Sequence, residues 1–174
     1  MAIEVDPGGG VDRPGRAPEH LTLEFLGEVP PERIPAIGAA LGPIGAEVPP
    51  FDLTLEGVGA FPSRARPRVV WVGATHGREE VTELARRVAS ALAPLGLPAP
   101  RETFEPHLTL FRVRSERDRV RALDLLEART PAPAARTVHV REIVLKESVL
   151  GPGGAVHRTI ATVPLGGGGA SVPR

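Results

Sequence analysis

Two hydrophobic rhythms run along the chain. A period of two marks "HLTLEFL" (20–26), "FDLTLEGV" (51–58) and "EPHLTLFRV" (105–113), where polar and apolar residues alternate. Such segments read as strands with one face buried. In 51–58, Phe51, Leu53 and Leu55 fall on one face and Asp52, Thr54 and Glu56 on the other. "PRVVWVGAT" (67–75) is more uniformly apolar and reads as a more deeply buried strand, and "AIEV" (2–5) as a short first one. Near the C-terminus "TVHVREIVLKESVL" and "AVHRTIATVPL" flank "GPGG", which predicts a hairpin.

A period near 3.6 marks the helices. Val81, Leu84, Val88, Leu92 and Leu95 line up over residues 78–95, with Gly96 as the stop. Over residues 31–42, Pro31 suits a first helical position and Ile34, Ile37 and Leu41 form a stripe that Pro35 and Gly38 weaken. Gly42 then lies just past the expected end. Ser115 with Asp118 resembles a capping box opening a helix that carries Val120, Leu123 and Leu126. "DPGGGVDRPGRAP" (6–18) and "FPSRAR" (61–66) read as loops, and "GGGGASVPR" (166–174) as a disordered tail.

Helices mixed with hairpin-forming strands imply an α+β protein. One repeat organises it: "HLTL" stands at 20–23 and again at 107–110, one copy in each half. The expected architecture is a single domain over residues 1–165. Two pseudo-symmetric lobes, each an antiparallel sheet with outer helices, would flank a central cleft.

Composition narrows the function. The 174 residues contain no Cys, which rules out disulfides, thiolate metal sites and Cys nucleophiles together. No apolar run approaches the ~20 residues of a membrane helix. The N-terminus lacks the pattern of a signal peptide, so a cytoplasmic protein is expected. With 21 basic and 21 acidic residues the formal charge is zero, and any RNA contact must come from a local patch. Lys146, the only lysine, sits in "VLKESVL", which matches neither a phosphate loop nor an ATP-dependent ligase motif. There is no H-E-x-x-H and no carboxylate cluster beside the histidines, so no metal site is expected.

Side chains at i and i+2 of a strand share a face. His20 and Thr22 therefore point one way and Leu21 and Leu23 the other, and the same holds for His107 and Thr109 against Leu108 and Leu110. Two imidazoles and two hydroxyls in one cleft suit in-line attack on a phosphodiester. One neutral imidazole takes a proton from the nucleophile, and the other, protonated, gives one to the leaving oxygen. Hydroxyls and an arginine can hold the non-bridging oxygens.

Two H-x-T-x motifs about 90 residues apart are the mark of the 2H phosphoesterases. The contexts "HLTLEFLGEVP" and "PHLTLFRV" resemble the LigT, or 2'-5' RNA ligase, branch. "FPSRARPRVVWVG" and "LKESVLGPGGAVHRTIATVPL" resemble hairpins of that branch, so that the likeness spans roughly residues 20–165. The resemblance implies a catalytic pair His20 and His107, with Thr22 and Thr109 on phosphate oxygens and no cofactor. It further implies hydrolysis of an RNA 2',3'-cyclic phosphate end to a 2'-phosphomonoester, with tRNA fragments as one source of such ends. The reverse would be an ATP-independent 2'-5' ligation, and the protein is expected to act as a monomer. Which histidine is acid and which base is left open by the sequence. So are two rivals: a 2H enzyme for another cyclic phosphate or a 2'-5'-linked oligonucleotide, and an RNA-end-binding module without turnover.

Arg112 matches the arginine that often follows the second motif. It lies five residues after His107, an odd number, so it reaches the phosphate only if the strand ends, twists or bulges near Phe111. The first motif carries Phe25 at the equivalent place. Two departures from the family stand out: "GGGVDRPGR" replaces a helix before the first motif, and His157 replaces an aromatic of the closing hairpin. Arg64, Arg66 and Arg68 are either an RNA-backbone patch or a solvated hairpin tip. Trp71 reads as a core residue more than a stacking platform. His76, His139 and His157 read as surface or hairpin residues, with His157 the one candidate for the cleft.

Overall fold

A computed structural model describes residues 2–5, 20–97, 103–151 and 154–166. Its strands are β1 (Ala2–Val5), β2 (Leu21–Phe25), β3 (Phe51–Ser63), β4 (Arg66–Ala74), β5 (His107–Arg112), β6 (Arg136–Val140), β7 (Glu142–Gly151) and β8 (Gly154–Pro164). Its α-helices are α1 (Ile34–Glu47), α2 (Arg78–Leu92) and α3 (Glu116–Leu126). All strand pairs are antiparallel, in the order β6-β3-β4-β5-β2-β1-β7-β8. The protein is thus α+β, as expected.

The order divides in the middle. Four strands stand on each side of the β5–β2 junction, and that junction has a single registered pair, Leu21 with Leu108. The two motif strands are therefore the inner strands of two antiparallel halves. A seam held by one pair lets the halves diverge on either side of it, which makes two lobes out of one hydrogen-bonded order.

The core lies on the leucine side of the seam. Leu21, Leu23 and Leu108 join Ile37, Leu41, Leu53, Val81, Leu84, Val88, Leu92, Ile143 and Leu145 in one buried cluster. Burying each such side chain is worth roughly 1.5–3 kcal/mol. The period-two reading holds where this cluster takes every second residue, as at Leu21 and Leu23, and fails at the end of β2, where Glu24 is buried and Phe25 is exposed because the register with β1 shifts there.

α2 follows its stripe. It starts after Gly77 (φ 74°) and continues as a 3-10 turn to Leu95, ending at Gly96 (φ 67°). Gly77 is required twice over, since a Cβ there would stand 2.2 Å from the Asp52 carbonyl oxygen. α3 opens on the expected capping box: the Asp118 N–H donates to Ser115 Oγ at 3.1 Å and the Ser115 N–H donates to Asp118 Oδ2 at 3.0 Å. Its stripe is shifted, however. Val120 is 51% exposed and Ala122 is buried in its stead, while Leu126 is buried as expected.

Three boundaries differ from expectation. α1 does not stop at Gly42; it runs through Pro43 to Glu47 because Ile44 and Gly45 belong to the buried face. Gly45 presses on β8, where a Cβ would lie 2.5 Å from the Pro164 carbonyl oxygen. That packing outweighs the one helical hydrogen bond Pro43 cannot make. The "FPSRAR" loop shrinks to a turn at Arg64 and Ala65, because β3 and β4 stay paired out to Ser63 and Arg66. The run 137–150 breaks at Arg141 into β6, which pairs with β3, and β7, which pairs with β1 and β8. The expected loop at 6–18 and the tail from 167 on lie outside the described residues.

Candidate active site

The Leu21–Leu108 pair sets the geometry. Counting one residue outward in an antiparallel ladder places His20 across from Thr109 and Thr22 across from His107. Each imidazole thus stands opposite the other motif's hydroxyl, on the face away from the core cluster. His20, Thr22 and His107 are half-buried and Thr109 is exposed.

Arg112 reaches that face through a bulge. On β5, Thr109 pairs with Trp71 and Phe111 with Val70, which leaves Leu110 as an extra residue. Arg112 then pairs with Val69, two residues from Trp71 on β4, so Arg112 shares the face of Thr109. The odd spacing is thereby corrected. β2 repeats the device: Thr22 pairs with Glu4 and Glu24 with Ile3, leaving Leu23 as the extra residue. Both bulges fall on the last letter of "HLTL".

His107 is fixed from two sides. Its Nδ1 lies 2.8 Å from the Glu105 carbonyl oxygen, which can only accept, so Nδ1 donates and Nε2 carries the lone pair of the neutral ring. Glu105 is held in turn by Arg78 at the start of α2, whose Nη1 and Nη2 donate to its carboxylate at 2.9 and 2.8 Å. On the other side Phe61 packs edge-on against the imidazole with centroids 4.9 Å apart, and Trp71 lies at 5.9 Å. Trp71 fits because its strand partner is Gly59, where a Cβ would meet the indole at 2.2 Å. The buried Trp71 Nε1 has no hydrogen-bond partner among the described residues.

His20 has a different neighbour. His157, on the β7–β8 hairpin, packs against it at 4.8 Å with the rings inclined by 60°. Ser148 Oγ lies 2.9 Å from His157 Nδ1. Burial, and secondarily the charge of Lys146, hold the His157 pKa below its ordinary 6.5, so this ring is neutral at neutral pH.

The remaining candidates divide. Arg64 donates to the Val58 carbonyl oxygen at 2.9 Å and to that of Leu126, which ties it to the hairpin and to the end of α3. Arg66 and Arg68 are exposed. His139 Nδ1 sits 2.7 Å from Asp52 Oδ1, a surface pair between β6 and β3, and His76 lies in the turn before α2. Trp71 is half-buried beside the site instead of deep in the core. Glu105, Phe61 and Ser148 were not singled out in the sequence. The first acts through its main chain, and the others become neighbours only through strand register, so no local signal marks them. Among the described residues, no three His, Asp or Glu side chains gather into a set able to hold a metal ion, and no helix is long and apolar enough to cross a membrane.

The chain is similar to several known proteins. The chain is 35% identical over 150 residues to an RNA 2',3'-cyclic phosphodiesterase of Aeropyrum pernix, covering 86% of this chain and 84% of that protein. It is 36% identical over 141 residues to the protein of that name in Archaeoglobus fulgidus, covering 81% and 76%. Among solved structures, TT0787 of Thermus thermophilus superposes with a TM-score of 0.70 at 27% identity, covering 95% of this chain and 97% of that one. LigT of E. coli, complexed with 3'-AMP, gives 0.65 at 30% identity, covering 84% and 76%. Residues 8–148 match the model of the 2'-5' RNA ligase superfamily, and the chain belongs to that family.

Proposed function

We propose that this protein hydrolyses RNA 2',3'-cyclic phosphate ends to 2'-phosphomonoesters, using His107 as general base and His20 as general acid. One observation carries the reading: the single Leu21–Leu108 pair sets both H-x-T motifs side by side on one open face. The activity named for the similar archaeal proteins agrees with it.

The Glu105 carbonyl supports the assignment of roles. With Nδ1 donating to it, neutral His107 presents an Nε2 lone pair and can take a proton from water. The water oxygen forms a bond to phosphorus as the bond from phosphorus to the 3' oxygen breaks. His20, entering protonated, gives its proton to that 3' oxygen. The product keeps phosphate on the 2' oxygen and gains a free 3' hydroxyl, and proton exchange with solvent restores both rings. Thr22, Thr109 and Arg112 hold the non-bridging oxygens as negative charge grows on them. Neutral His157 matters here, because a second positive charge against His20 would discourage the protonated form the acid needs. Run in the same direction with a 5' hydroxyl in place of water, the 5' oxygen bonds to phosphorus as the bond to the 3' oxygen breaks, and a 2'-5' linkage forms without ATP.

The test is a short RNA ending in a 2',3'-cyclic phosphate, incubated with the protein in excess EDTA, with the phosphate's final position identified. The expected product is the 2'-phosphate, lost in both His20→Ala and His107→Ala. A 3'-phosphate product, or undiminished turnover in either variant, would refute the assignment.

A further inference from the structure

We propose that Arg78 is a positioning residue for His107: by gripping the Glu105 side chain it fixes the main-chain carbonyl that orients the imidazole. The inference rests on the reading of His107 as general base and carries it outward to the start of α2, beyond either motif.

The need for such a grip comes from where His107 sits. It is the first residue of β5, so the sheet ladder begins at the ring-bearing residue and not at the carbonyl that holds the ring. That carbonyl belongs to the peptide joining Glu105 to Pro106. A peptide whose nitrogen is proline's has no N–H, so one of the two usual means of pinning its plane is gone. Proline also confines the residue before it to extended backbone, which narrows the choices at Glu105 without selecting one.

Downstream, the segment is pinned to the end of β4. Pro106 is buried, and its carbonyl oxygen accepts from the Ala74 N–H at 3.1 Å. Upstream, the grip is Arg78. Its Nη1 and Nη2 donate to the two carboxylate oxygens of Glu105 at 2.9 and 2.8 Å, a planar fork on a planar acceptor. Nη1 also donates to the Ala74 carbonyl oxygen at 3.3 Å. One guanidinium thus ties Glu105 to the same residue that holds Pro106. The carbonyl that faces His107 Nδ1 at 2.8 Å lies between the two ties. Arg78 itself starts from fixed backbone. Gly77 before it is wedged against Asp52, and the fully buried Val81 donates its N–H to the Gly77 carbonyl oxygen at 3.1 Å.

Stability alone does not account for this pair. Its side chains are well exposed, 44% for Arg78 and 37% for Glu105, and exposed ion pairs add little to stability. What a bidentate pair supplies at a surface is direction. Here direction decides which nitrogen of His107 carries the proton, and so whether Nε2 offers its lone pair to water.

The experiment measures turnover of adenosine 2',3'-cyclic phosphate by Arg78→Met, which keeps the stem and loses the donors, by Glu105→Ala, by the double variant and by Arg78→Lys. Arg78→Met should lower kcat on the order of tenfold with KM kept, since small misplacements of a catalytic group are costly. Glu105→Ala should do the same, and the double variant should be no slower than either single one, because both changes cut one link. Arg78→Lys, which keeps the charge without the fork, should fall between. In parallel, 15N NMR of the imidazole nitrogens at alkaline pH reads the tautomer directly, with the His107 signals assigned from their loss in His107→Gln. The proton should sit on Nδ1 in the unaltered protein, and the two tautomers should mix in Arg78→Met. An unchanged kcat in Arg78→Met, losses that add in the double variant, or unchanged ring signals would overturn the proposal. If the unaltered protein turns over no cyclic phosphate, the RNA-end reading has failed, and the ring signals alone decide the role of Arg78.

Discussion

The two motif histidines sit in matching positions and in unlike company. His107 has its Nδ1 on a main-chain carbonyl and an apolar ring, Phe61, against its edge. His20 has a second imidazole, His157, in the place Phe61 takes on the other side, and that imidazole is tied to Ser148. Repeated sequence built a repeated frame, and the residues hung on the frame differ. A two-step proton transfer requires that difference: one ring must start neutral and the other charged, so identical surroundings would serve neither.

The largest effect is expected where the comparison is most direct. His20→Ala and His107→Ala should each lower kcat about 10³-fold. They should part company on a nucleotide ester with a p-nitrophenolate leaving group, which needs no acid. Turnover of that ester should return in His20→Ala and stay lost in His107→Ala; the opposite pattern would exchange their roles.

Next in size is the floor beneath His107. Gly59→Ala places a Cβ 2.2 Å from the Trp71 ring, and overpacking of this kind costs about 1–3 kcal/mol. Denaturant unfolding should record that loss, and kcat should fall with it as the indole is pushed toward the site. Gly45→Ala, whose Cβ would meet the Pro164 carbonyl oxygen at 2.5 Å, makes the control. It should cost similar stability while the remaining folded protein keeps its kcat.

A smaller effect separates the rings facing the two histidines. The His157 pKa is lowered on folding, so the unfolded chain binds a proton at His157 more readily than the folded one. The stability this contributes is complete above about pH 6.5 and is lost as pH falls through the lower folded value. Thermal unfolding of His157→Phe should therefore be less sensitive to acid than that of the unaltered protein, with the two curves diverging below about pH 6.5. Parallel curves would mean that His157 titrates as it does in the unfolded chain. The smallest change is far from the seam: Ser115→Ala removes the α3 cap and should cost about 1 kcal/mol without altering KM or kcat.

Local signals were read correctly wherever one segment carried its own explanation. The α2 stripe with Gly96, the Ser115–Asp118 box and the alternation around each motif all depend on neighbours within a turn or a strand. Readings failed where a distant element decided the matter. α1 continues past Gly42 because β8 and the core need Ile44 and Gly45, and the β3–β4 turn is short because two strands pair to their ends.

By itself the sequence determined the pair of H-x-T motifs, the face each presents and the α+β class, since strand parity and helical period are properties of a single segment. Tertiary structure alone decided which threonine stands across from which histidine, because a pairing partner belongs to another strand. It decided that Arg112 and Phe25 turn to the open face, because a bulge exists only relative to the strand beside it. It also decided that His157 meets His20 while Phe61 meets His107, since those contacts depend on how a twisted sheet carries residues from outer strands over the seam.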